Sequence, residues 1–118
     1  MNKFDALAEP TRRKIIEMLA SEGELSATDI CEKFSVSPSA ISQHLKVLRE
    51  ANLVRVVKRA QQRIYQLNPE AVMELENWAR HLTELWSQRL DALDALIQVE
   101  KHKYLLNEKG KDEGNERK

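Results

Sequence analysis

Ser39, Ser42, Gln43 and Lys46 lie close together in the stretch Ser35-Val-Ser-Pro-Ser-Ala-Ile-Ser-Gln-His-Leu-Lys-Val-Leu-Arg-Glu-Ala-Asn-Leu-Val54. Hydroxyls, a primary amide and an ammonium group have one chemistry in common: they make directional hydrogen bonds without holding a negative charge. A glutamine can pair bidentately with adenine, and serine can reach several base edges or a phosphate. If Ser37 caps a helix that begins at Pro38, Ile41, Leu45 and Leu48 share its inner face. Ser39, Gln43, Lys46 and Glu50 then face outward, with Ser42 and Val47 on the flanks. His44 borders the inner face, where it can pack and hydrogen-bond or contact a phosphate. The exposed amides of such a helix start also suit an anion.

Charge supports this chemistry. Over 118 residues, 19 basic and 19 acidic side chains cancel. Their distribution is uneven, because residues 38–63 hold Lys46, Arg49, Arg55, Lys58, Arg59 and Arg63 against Glu50 alone. A local basic patch governs attraction to a polyanion more than the total does. A helical protein–protein adaptor, the competing reading, has no use for such a window. An enzyme is not expected, since no nucleophile–base pair, glycine-rich phosphate loop or carboxylate pair stands out.

The elements that must position these groups follow from local signals. Phe4 to Ala8 can form a short helix. A second starts at Pro10, carries Ile15, Met18 and Leu19 inward, and stops at Gly23. Ser26-Ala-Thr-Asp29 resembles a capping box for a third helix with Ala27, Ile30, Cys31 and Phe34 inward. A tight turn leads to the helix from Pro38, which Asn52 can end in a left-handed conformation. Leu53–Lys58 and Arg63–Leu67 read as a hairpin, with a wide loop expected at Arg59-Ala-Gln-Gln62 because glycine is missing there. Arg55, Lys58, Arg59 and Arg63 would grip a nucleic-acid backbone from it.

Asn68-Pro69-Glu70 opens a long helix in which Leu75, Trp78, Leu82, Leu85, Trp86, Leu90, Leu93 and Leu96 recur at helical spacing. A periodic helix beyond about 25 residues usually packs against another long helix. These residues are therefore expected at a dimer seam, with a ligand pocket at Trp78 or Trp86 as the other reading. Residues 107–118 read as a disordered charged tail. The expected fold is mainly α with a small β-hairpin: a winged helix-turn-helix over residues 1–106 (wing 53–67) that dimerises through helix 69–106. The start of the chain has no apolar signal-like run and no stretch nears membrane-spanning length, so a cytoplasmic protein is expected. A lone cysteine, Cys31, excludes an intramolecular disulfide. It reads as a small buried hydrophobe or as a redox-sensitive thiol.

Leu7-Ala-Glu-Pro-Thr-Arg-Arg-Lys-Ile-Ile-Glu-Met-Leu19, Glu24-Leu-Ser-Ala-Thr-Asp-Ile30 and Ser35–Val54 together resemble the ArsR/SmtB-type winged-helix repressors of bacteria, from about Phe4 to Leu67. The resemblance implies a homodimer that binds a short inverted repeat of double-stranded DNA. The helix from Ser37 would enter the major groove and the hairpin would lie beside it. Metal-sensing members carry cysteines where Ser26 and Thr28 stand here, and hydroxyls are poor ligands for soft metals. The other metal site of the family would involve His81 with Glu84, or His102. Ala79 and Ala92 occupy the positions that its spacing requires around His81. No metal and no cofactor is therefore expected. Trp86-x-x-Arg89-Leu-Asp-x-Leu93 resembles the non-metal branch, some members of which act as autorepressors without a known effector.

Overall fold

The structure, a computed structural model, describes residues 2–115, with side chains from 2 to 107. The chain divides into two compact units after Glu76.

In the first unit, α1 (Lys3–Ala6) and α2 (Pro10–Glu22) precede a short strand, β1 (Glu24–Ser26). Then come α3 (Ala27–Glu32), α4 (Pro38–Glu50), β2 (Val54–Arg59) and β3 (Gln62–Leu67). The long helix α5 begins at Pro69 and runs to Asn115. Its backbone thus enters the stretch expected as a tail, of which residues 116–118 lie outside the described residues. The helix starts carry the signals read from the sequence. The Asp29 N–H donates to Ser26 Oγ at 3.0 Å, and the Ala40 N–H donates to Ser37 Oγ at 3.2 Å. Pro10 and Pro38 occupy first-turn positions.

The end of α4 fixes how the chain enters the hairpin. Asn52 takes a φ of 61°. The Leu53 N–H reaches Leu48 O and the Asn52 N–H reaches Arg49 O, both at 3.0 Å. That is the Schellman pairing, and its usual apolar contact is available in Leu48 and Leu53, both fully buried. Ile15, Leu19, Ile30 and Ile41 complete the centre of the core. Cys31 is only partly buried and packs against it.

Two features depart from expectation. The first is β1, which pairs with β3 and makes a three-stranded antiparallel sheet in the order β1-β3-β2. The second is the wing tip. Arg59 pairs directly with Gln62, so the turn is the two residues Ala60 and Gln61 rather than a wide loop. Ala60 supplies the required twist with a φ of 57°. Both flanks of β3 are paired, so the register is imposed from outside the turn and an L-residue is forced into left-handed space at a cost of about 1 kcal/mol. Ala60→Gly should therefore raise stability slightly, by up to about 0.5 kcal/mol once the extra freedom of the unfolded glycine, about 0.5–1 kcal/mol, is deducted. Urea denaturation checks this, and a lower midpoint would show that Ala60 is not strained.

Candidate nucleic-acid interface

Ile41, Leu45 and Leu48 anchor α4 in the core, at 3% exposure or less. Ser39, Ser42, Gln43, Lys46, Arg49 and Glu50 are all exposed. The hydroxyl and amide face read from the sequence is therefore open along the helix, with one acid at its far end. Ser37 is exposed too, and while its Oγ accepts the cap hydrogen bond its O–H can still donate outward. Val36, exposed at 42%, sits beside it in the turn between α3 and α4.

The four basic residues of the wing fall into two pairs. Arg55 Nη2 donates to Asn68 Oδ1 at 3.0 Å, while Asn68 Nδ2 donates to Asn52 O at 2.7 Å and closes the wing root. Arg59 forms a two-point ion pair with Glu24, and Gln66 Nε2 donates to the same carboxylate at 3.0 Å. The Arg59 hydrogen bond, reinforced by that of Gln66, holds the Glu24 carboxyl below its ordinary pKa, and Glu24 raises Arg59 in return. Both of these arginines are engaged within the protein. Lys58 and Arg63 face each other directly across β2 and β3, and neither has a partner among the described residues. Two like charges opposed in a ladder are destabilising. A phosphate between them would remove that penalty.

His44 lies at the border of the buried face, half-buried where Gln43 is exposed. Its Nδ1 lies 3.3 Å from Arg12 Nη1 and 3.6 Å from Glu9 Oε2, and its side chain is 20% exposed. Glu9 itself caps α2 by accepting from the Arg12 N–H at 3.1 Å. Partial desolvation pushes the Glu9 carboxyl upward, but backbone hydrogen bonds from Thr11 and Arg12 and the nearby His44 outweigh it and leave the pKa lowered. Sequence reasoning missed Glu9 and Arg12 as neighbours of α4. Glutamate is an uncommon cap, and nothing local marks a contact between residues 32 positions apart.

On α5, Leu75 is partly buried and packs against the core of the first unit. In the second unit Trp78, Leu82, Leu85, Trp86, Leu90, Leu93 and Leu96 stand between 42% and 62% exposed. A shallow groove on the same helix is lined by Leu93, Leu96, Ile97, Glu100, Lys101 and Tyr104. Among the described residues no group of three or more His, Cys, Asp or Glu is placed to hold a metal, and no helix is long and apolar enough to cross a membrane.

A capped, polar-faced helix following a tight turn, beside a basic hairpin, defines a winged helix-turn-helix DNA-binding protein. Residues 9–56 match the model of the bacterial regulatory protein family arsR. The chain is 38% identical over 77 residues to the transcriptional repressor SdpR of Bacillus subtilis, covering 65% of this chain and 84% of that one. It is also 38% identical over 97 residues to the HTH-type transcriptional regulator Rv2034 of Mycobacterium tuberculosis, covering 82% and 87%. An ArsR-like transcriptional regulator from Rhodococcus sp. RHA1 superimposes with a TM-score of 0.69 at 27% identity, over 79% of this chain and 87% of that one. The chain belongs to the ArsR family and is a DNA-binding transcriptional regulator, not an enzyme.

Proposed function

We propose that the protein is a homodimeric repressor that binds an inverted-repeat operator in the cytoplasm, reading bases through α4 and gripping phosphates through the wing. The observation that carries this reading is the open Ser39, Ser42, Gln43 and Lys46 face on a helix whose opposite face is fully anchored. Such a helix can enter a major groove without rearrangement of its own core. The unpaired Lys58–Arg63 couple supports backbone contact beside it.

Dimerisation is supported by α5. Every residue from Glu76 to Asn107 is exposed in the single chain, the leucines and tryptophans of the stripe among them. Isolated helices in water are marginal and take most of their stability from a buried apolar face. A second copy offers the same leucine and tryptophan stripe, and self-complementary stripes are what a two-fold interface requires. In such a dimer the two α4 helices would sit about one DNA turn apart, ~34 Å.

Selection of bound fragments from random duplex DNA tests the reading. Enriched half-sites centred roughly 10 base pairs apart are expected, and an unenriched pool would overturn it. The wing makes its own prediction. Lys58→Ala should weaken operator and scrambled duplexes alike and lower the slope of log K against log salt by about 1. A loss confined to the operator would move Lys58 from backbone grip to base reading.

A further inference from the structure

Arg12 lies outside both the recognition helix and the wing, yet it is the most heavily hydrogen-bonded side chain near α4. Its Nε donates to Ala6 O at 2.6 Å and its Nη2 reaches Asp5 O at 3.5 Å, so the guanidinium is pinned to the end of α1. Ala6 is fully buried, which makes that anchor rigid. From this fixed position Nη1 meets His44 Nδ1 at 3.3 Å. A guanidinium only donates, so Nδ1 must accept, and a neutral imidazole that accepts at Nδ1 carries its proton on Nε2. Glu9 Oε2 would favour the opposite tautomer, but at 3.6 Å it lies beyond hydrogen-bonding distance and already accepts from the Arg12 N–H.

We propose that Arg12 is a positioning residue for DNA recognition: by occupying Nδ1 it makes His44 present an Nε2–H donor to a DNA phosphate at the border of the reading face. The proposal rests on the DNA-binding reading above. Nε2 has no partner among the described residues, and His44 stands at the flank of α4. Flank positions of a groove-seated helix meet the sugar–phosphate backbone rather than base edges. Arg12 thereby ties α1, α2 and α4 together and also sets which ring nitrogen carries the proton.

Ring nitrogen correlation spectra of the full-length protein at about pH 8, where imidazole is ordinarily neutral, read the tautomer directly. His44 is assigned by the signal lost in His44→Gln. A protonated Nε2 is expected in the wild type. In Arg12→Lys a mixture is expected, since a single ammonium nitrogen cannot occupy the separate places from which Nε holds Ala6 O and Nη1 meets His44. That variant keeps the charge, and circular dichroism verifies its fold. A wild-type ring protonated on Nδ1, or an unchanged tautomer in Arg12→Lys, overturns the role of Arg12. DNA titration then tests the donor. Glutamine places an amide N–H where Nε2–H sits, and asparagine places it where Nδ1 sits. His44→Gln should bind operator within about threefold of wild type, and His44→Asn about tenfold more weakly. Equal affinities overturn the donor role. A wild type with the expected tautomer that binds no duplex at all overturns the DNA reading and the donor role together, while Arg12's hold on the ring stands.

Discussion

Gln43→Ala is expected to cost about 1–3 kcal/mol on the selected operator and almost nothing on scrambled duplex. Gln43 lies on the exposed face of α4, two residues before the buried Leu45. Its amide can donate and accept at once, which is the pattern adenine presents in the major groove. Alanine removes that bidentate pair without disturbing Ile41, Leu45 or Leu48, and it is a better helix former than glutamine. The folded state should therefore be unharmed and the loss confined to base preference. The salt slope separates this from a phosphate contact: it should stay constant in Gln43→Ala and fall in Lys58→Ala. Fluorescence anisotropy against operator and scrambled duplexes measures both. Equal losses on the two duplexes would place Gln43 on the backbone, and no loss on either would remove it from the interface.

How far the sequence could lead is clearest at α4 and its surroundings. The cap at Ser37, the inner face of Ile41, Leu45 and Leu48, and the left-handed Asn52 were all legible, because each follows from a rule confined to one helix and its ends. The exposed polar face came with them, as the complement of the buried one. β1 was not legible: at three residues it is too short to show alternation, and it exists because β3 offers it a free edge. The wing turn was misjudged for a related reason. Local preference asks for glycine in a two-residue turn, but register imposed by the sheet overrode that preference and placed Ala60 in left-handed space. The wing charges illustrate the same limit. Composition showed four basic residues, while only the fold separates Arg55 and Arg59, held by Asn68 and Glu24, from the unpartnered Lys58 and Arg63. Arg12 and His44 meet across 32 positions, where no periodicity reaches.

Trp86→Glu combined with Leu93→Glu should convert the proposed dimer to a monomer and lower operator affinity by about 10²–10⁴-fold. Trp86 and Leu93 are 58% and 42% exposed within one chain, so neither substitution removes a core contact of the first unit. In a two-fold seam each change occurs twice, and four carboxylates would be buried without partners, at several kcal/mol in total by the ordinary cost of hiding a charge. A separated protomer still carries an intact α4 and wing, and so keeps the weak grip of one half-site. What it loses is the second binding event at high effective concentration, which is the origin of the expected factor. Separation has a structural signature as well. Residues 76–107 would return to the condition of a solvent-exposed helix, and part of the helical circular dichroism should disappear while the urea transition of the core around Ile15, Leu19 and Ile41 persists. Light scattering on the eluting protein gives the mass and anisotropy gives the affinity. A double variant that stays dimeric would move the seam off this stripe. A monomer that binds operator as tightly as the parent would show that one α4 is enough for recognition.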